Sequence, residues 1–481
     1  MPETIERKEL EDLEEDLHEV EELLRRQRLV EGLVHRTQGP RHELEESLVH
    51  RQHQAELRRK LDQMHPADIG YILEALPIEE RLLVWDLVKA ERDGEILLEV
   101  SDAVRDTLIA DMDRQELVAA AETLDADELA DLAPALPDDV LQDVFRALPV
   151  EEREQLRAAM SYPEDAVGAL MDFEAVSVRE DVTLEVVARY LRRFEELPDH
   201  TDQIFVVDRG EHLRGALPLS RLVVNDPDRL VRDVMVQDAV TLYADDKAED
   251  AAKAFERYDL ISAAVIDARG KLLGRVTVDA VLDFVRETTE TELLSIGGLR
   301  EGEDVFASVW QSVKNRWSWL AVNLITAFVA SRVIGVFEGS IEKLVALAAL
   351  MPIVAGIGGN SGNQTITMIV RALALGQIKT EQARQLFSKE IGVAGANGLI
   401  WGGILGVIAY VLYDSWQLGL VMTAAMALNL LLAAVMGVLI PVTMVKLGRD
   451  PALGSSVMIT ACTDSGGFFI FLGLATLFLL R

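Results

Sequence analysis

From residue 317 onward the chain is almost wholly apolar, in five segments at about 317–337, 341–372, 389–413, 416–446 and 454–480, and no other feature limits its fold so strongly. At roughly 1.5 Å of rise per residue, each segment can cross a hydrocarbon core of about 30 Å as a helix. An all-α domain of five transmembrane helices is therefore expected over residues 317–481. The loops set its orientation. Arg371, Lys379, Arg384 and Lys389 follow the second segment, and Lys446 and Arg449 follow the fourth. The first loop instead holds Glu338, Glu342 and Lys343, and the third only Asp414. This excess of basic residues places those two loops and the N-terminal body in the cytoplasm of a multi-pass inner or cell membrane protein, and an odd number of spans leaves the C-terminus outside.

Two features of these segments do not suit a passive anchor. The run MPIVAGIGGNSGNQTITMIV, residues 351–370, sets four glycines, two asparagines, a glutamine, two threonines and a serine inside an apolar stretch. Asp464 lies deep in MITACTDSGGFFIFLGLATLFLL, where a carboxylate costs roughly 2.5–3.5 kcal/mol on insertion scales and is by default a functional residue. Together they suggest a cation path. Gly402, Gly403 and Gly406 are adequately explained by close helix packing, whereas the polar side chains of GGNSGNQ also need partners. Arg332 lies near the outer end of the first segment, where it can snorkel, and Glu390 opens the third at the inner boundary. The segments contain oxygen ligands but no His or Cys cluster, which favours a hard ion over zinc or copper.

The charge is unevenly divided. Residues 301–481 carry 11 Lys and Arg against 10 Asp and Glu, so of the total charge of −34 the first 300 residues hold −35. So acidic a body argues against nucleic-acid binding and favours cations as partners. The single Cys462 excludes a disulfide within the chain. The charged N-terminus lacks an apolar signal region, and no cleavable signal is expected. Residues 1–60, rich in Glu, Leu, Arg and Gln at helical spacing, read as one or two amphipathic helices of a partly mobile extension.

Between residues 61 and 162 a twelve-residue period appears. Met64, Leu76, Val88, Val100, Met112, Leu124, Leu136, Leu148 and Met160 are apolar, and all the residues that follow them except His65 and Lys89 are Pro, Ser or Asp. Those types cap or open helices, and the acidic first turns PIEE, DADE, PDD and PVEE suit the positive end of the helix dipole. A stacked superhelix of short helices is expected. It contains no evident catalytic group.

Residues 163–233 and 234–284 form two similar units. At an offset of 64, Met171, Val176 and Asp181 match Met235, Val240 and Asp245. The order strand, helix, strand, turn, strand recurs, as βαββα-like units. VVDRGEHLRGALPLSRL and VIDARGKLLGRVTVDAV are similar to the strand–turn–strand part of CBS modules, which commonly sense a ligand. DFVRETTETELLSIGGLREGEDV then suggests a linker helix within residues 285–316, on which Glu287 and Glu290 share one face at i and i+3. No nucleophile–base set or phosphate loop suggests an enzyme.

This order of parts resembles the MgtE-type magnesium channels, through PEDAVGALM, the CBS pair, MPIVAGIGGNSGNQ, RDPALGSS and TDSGGFF, over roughly residues 60–481. The resemblance implies a multidomain membrane protein with an α-helical superhelix, tandem α+β CBS modules and an all-α five-span domain. It implies a homodimer in the lipid membrane that passes Mg2+ down its gradient and closes when cytosolic Mg2+ binds its acidic surfaces. By similarity Asp464 is the pore carboxylate, Gly356 and Gly359 offer backbone carbonyls, and Asn360 orders the site. Asp450, Glu287 and Glu290 would meet in the closed gate, with Asp279 a further metal-sensing carboxylate. Mg2+ gives up its water reluctantly, so carboxylates holding it through that water suit selection by hydrated size. Thr291 stands where an acid can follow the second linker glutamate, and Ser456 where Asn can occur. Nucleotide binding by the CBS pair is left open. Two other readings fit the same residues: a channel for Co2+ or Mn2+, and a membrane-anchored ligand sensor, under which Asp464 and GGNSGNQ would be superfluous.

Overall fold

The computed structural model describes residues 10–34, 53–194, 196–299, 303–374, 383–449 and 454–480. It divides into two compact units. One runs to Thr289 and takes in Asp304–Ala307, and the other holds Glu290–Glu303 and the chain from Ser308 onward.

In the first unit, α1 (Leu10–Val34) packs on α2 (53–61). Val20, Leu24, Leu57 and Leu61 join the core of the helices that follow, and Lys60 pairs with Asp16 at 2.6 Å and Glu19 at 2.5 Å. The described part of the extension is thus built into the domain by ordinary apolar burial.

One helix occupies each twelve-residue frame: α3 (Pro66–Ala75), α4 (Ile78–Trp85), α5 (Asp93–Glu99), α6 (Asp102–Asp111), α7 (Arg114–Ala121), α8 (Ala126–Leu132), α9 (Asp138–Ala147) and α10 (Val150–Ala159). The periodic apolar residues are the stops. Leu76, Val100, Leu136 and Leu148 are extended residues that end a helical turn and bury their side chains. Asp113 opens α7 by accepting from the N–H groups of Gln115 and Glu116, at 2.7 and 3.0 Å. His65, which the sequence pattern leaves without a capping role, also caps: its Nδ1 accepts from the Ala67 N–H at 3.2 Å, with Pro66 in the first helical position. A second period of twenty-four lies over the first. Arg81 donates to the carbonyls of Leu73 and Leu76, and Arg105 to those of Leu97 and Val100. Arg153 donates to Leu148. A guanidinium in one helix therefore satisfies carbonyls that the preceding helix leaves unpaired at its end.

The two α+β modules share one topology. In the first, β1 (Ser177–Arg179), α11 (Leu184–Leu191), β2 (Gln203–Val207), β3 (Leu213–Pro218) and α12 (Leu219–Val224) give the sheet order β1-β2-β3. In the second, β4 (Thr241–Tyr243), α13 (Ala248–Tyr258), β5 (Ser262–Ile266), β6 (Leu272–Thr277) and α14 (Val278–Ile296) repeat it. In each, the first pair of strands is parallel and the second antiparallel. The modules join at their hairpin turns, where Leu213 N–H donates to Gly270 and Leu272 N–H to Glu211. The expected linker helix is the continuation of the second module's last helix, and it ends at Ile296. The stop is local: Gly298 takes φ 74°, and a Cβ there would enter the Trp319 ring.

The second unit is helical, with α15 (Val309–Val336), α16 (Glu338–Lys343), α17 (Ala346–Ala374), α18 (Ala383–Tyr413), α19 (Trp416–Lys446) and α20 (Ser455–Leu479). Among the described residues four helices are long and apolar enough to cross a membrane: those in α15, α18, α19 and α20. Helix α17 has comparable length but carries the polar GGNSGNQ run. Helix α19 is the most buried of the four, and α15 is exposed along most of its length. Gly398, Gly402 and Gly406 on α18 bring its backbone against Ala427, Thr423 and Gly419 of α19. Gly403 faces open space, so the packing explanation holds for Gly402 and Gly406 and fails for Gly403.

Candidate functional site

The polar run does not open α17: the helix is continuous from Ala346 to Ala374 despite Pro352. Its glycines divide between two faces. Gly358 and Gly362 are buried against Asn429 of α19 and Ile459 of α20, and Gly359 is buried too, while Gly356 is exposed. Gly356, Asn360, Asn363 and Thr367 follow one another at helical spacing and stay wholly or partly exposed, a polar stripe on an apolar helix. Within a continuous helix, the Gly356 and Gly359 carbonyls have only their second lone pair to offer outward.

Helix α20 crosses α17 at this level. A Cβ on Gly359 would lie 3.7 Å from the Thr463 hydroxyl, so the residue before Asn360 meets the residue before Asp464. The Thr463 hydroxyl turns back on its own helix, donating to Ile459 O at 2.9 Å. Asp464 is half-buried, and among the described residues its carboxylate has no hydrogen bond or ion pair. Such a group is available to a cation. Glu390 differs from expectation: it lies inside α18 rather than at its start and is buried, with the Thr365 hydroxyl donating to it at 3.3 Å. A single sequence could not reveal this, because burial there depends on which helix covers the carboxylate. Arg332 stays exposed, over the Phe328 ring at 5.2 Å.

The other predicted metal residues are distributed differently. Asp450 lies outside the described residues. Glu287 and Glu290 are exposed on α14, and Asp279, at the start of the same helix, has His200 Nε2 at 3.5 Å. Glu287 belongs to a crowd of acids in the first unit. Loss of hydration pushes it up, and Asp102 and Asp283 add to this while Arg105 and Arg286 oppose it. Asp131, just before the end of α8, is pushed up to about 7, first by loss of hydration and then by the charge of Glu287. Asp127 is pushed up to about 8, again by loss of hydration first and then by Asp172. The DADE pattern points only to the helix dipole and does not reveal this convergence, because Asp172 comes within electrostatic reach of Asp127 only on folding. Among the described residues no three His, Cys, Asp or Glu side chains stand close enough together to hold a metal directly.

Similarity to known proteins covers both units. A family described as a divalent cation transporter matches residues 351–474, one described as the MgtE intracellular N domain matches 64–165, and the CBS domain matches 231–287. The Thermus thermophilus protein named magnesium transporter MgtE is 32% identical over 432 residues, which span 88% of this chain and 95% of that protein. The Bacillus subtilis protein of the same name is 25% identical over 426 residues, 88% of this chain and 94% of the other. A solved structure, the cytosolic domain of the Mg2+ channel MgtE in complex with ATP, is 33% identical with a TM-score of 0.44, covering 47% of this chain and 93% of that one. With its acidic N-terminal domain, CBS pair and apolar helices in the family's order, this chain belongs to the MgtE family of magnesium transporters.

Proposed function

We propose that the protein is a Mg2+ channel in which Asp464 and the polar stripe of α17 form the ion path. The observation that carries this reading is the Gly359–Thr463 crossing, which brings an unpaired carboxylate level with Asn360 inside helices otherwise built for lipid. Asp464 attracts the hydrated ion. The outward lone pairs of the Gly356 and Gly359 carbonyls and the Asn360 amide accept from or donate to its water shell. Five spans, with α17 as the second, would place the C-terminus outside and let two copies line one pore about a two-fold axis, with import driven by the electrochemical gradient.

Gating follows from the acidic first unit. At low cytosolic Mg2+ the carboxyls around Asp127, Asp131 and Glu287 carry their charge at a cost, from lost hydration and then from one another, that protons partly relieve; bound Mg2+ takes the place of those protons and favours a closed arrangement of the α14 linker. Glu287, Glu290 and Asp450 would form the closed gate, with Asp279 a further sensing group. Growth of a transport-deficient, Mg2+-requiring cell tests the pore assignment. Wild type should restore growth at low external Mg2+ and Asp464→Ala should not. Equal rescue by both would refute it, and parallel cultures limited for Co2+ or Mn2+ identify the preferred ion.

A further inference from the structure

Asn429 stands alone in the apolar run ALNLLLAAV of α19, and the ion path as described makes no use of it. Its side chain is completely buried where α17, α19 and α20 meet. Its Nδ2 donates to the Val354 carbonyl of α17 at 2.9 Å. Two glycines make room for it, one on each neighbouring helix: a Cβ on Gly358 would run into the amide, and one on Gly467 would lie 2.7 Å from Nδ2. The amide oxygen, Oδ1, has no partner among the described residues.

Net stability does not explain such an arrangement. One interhelical hydrogen bond inside a membrane contributes little, and a buried carbonyl without a donor costs at least as much. An apolar side chain would fill the space without that cost. What the amide adds is direction, because a hydrogen bond to one particular carbonyl fixes the level of a helix whereas apolar contact tolerates sliding. The level it fixes is the relevant one. Val354 and Gly358 bracket Gly356, Gly358 adjoins Gly359, and Gly467 lies three residues beyond Asp464.

We propose that Asn429 is a positioning residue of the ion path, its amide setting the register of α17 against α20 so that the α17 polar stripe stays level with Asp464. This rests on the channel reading, but it can be tested apart from transport. In full-length protein carrying Cys462→Ser, the pair Gly359→Cys and Thr463→Cys reports the crossing through the rate of disulfide formation. Adding Asn429→Ala should slow that rate roughly tenfold. An unchanged rate overturns the proposal. Mg2+ flux into proteoliposomes supplies the second readout. Asn429→Ala should lower flux, and Asn429→Ala with Gly358→Ala, which refills the space, should regain thermal stability without regaining flux. Recovery of both would make Asn429 a space filler and overturn the proposal. If wild type itself moves no Mg2+ in these vesicles, the channel reading fails while the cross-linking result still decides the role of Asn429.

Discussion

Arg81 and Asp304 lie 223 residues apart and form a buried ion pair in the first unit, with Arg81 Nη1 donating to Asp304 Oδ2 at 2.7 Å and Nη2 to Oδ1 at 3.4 Å. Arg81 is fully buried and also holds the Leu73 and Leu76 carbonyls, so one guanidinium ties Asp304 to the N-terminal helices within the first unit. Burial alone would raise the Asp304 carboxyl, but hydrogen bonds from Arg81 and from the Phe306 N–H outweigh it and hold the group below its ordinary 3.8. Because the folded-state value is lowered, the stabilisation is present above about pH 4 and is lost as pH falls through that lowered value.

Removing one partner leaves the other charge buried. Arg81→Ala should destabilise the first unit by about 3–5 kcal/mol, and Arg81→Met with Asp304→Leu should recover most of this. Thermal unfolding of the purified protein measures both variants. A double variant no better than the single would show that the carbonyl contacts of Arg81, and not the ion pair, carry the effect.

Raised carboxyls have the opposite sign. Asp127 and Asp131, at about 8 and 7, bind protons in the folded state that the unfolded chain has already released above about pH 4. Stability should therefore fall as pH rises from about 4 to 8 and level off above that. Millimolar Mg2+ should raise the melting temperature more at pH 8.5 than at pH 6, where fewer of these groups are charged. Equal shifts at the two pH values would show that Mg2+ binds elsewhere.

Glu287 is the nearest test of coupling between the acid crowd and the linker, because its charge follows only loss of hydration among the causes that raise Asp131. Glu287→Gln should lower the Asp131 carboxyl toward its ordinary range and weaken Mg2+-dependent protection of residues 160–300 from a protease. Protection identical to wild type would remove Glu287 from the gate.

Two glycines on α18, three residues apart, should behave differently. A Cβ on Gly406 meets the Gly419 carbonyl and the Thr423 hydroxyl, so Gly406→Ala should force α18 and α19 apart at a cost of about 1–3 kcal/mol. Gly403 has open space, and Gly403→Ala should be neutral or slightly stabilising. Melting temperatures in detergent compare them directly.

Much of the fold was legible in the sequence because its signals are local. The twelve-residue period marked the helix stops, since an extended residue followed by Pro, Ser or Asp ends one helix and opens the next within a few bonds. The 64-residue offset revealed two modules of one topology for the same reason. His65 escaped because a histidine cap depends on the ring's rotamer, which residue type alone does not predict.

By itself, the sequence determined the charge asymmetry, the apolar segments and the polar chemistry of GGNSGNQ and Asp464, all properties of composition along the chain. Only the tertiary structure decided which of these groups meet. It buried Glu390 under Thr365, paired Arg81 with Asp304 and placed Asn429 between Gly358 and Gly467. Each is a contact between residues distant in the chain, whose energy arises when packing excludes water, and no local pattern of residue types encodes it.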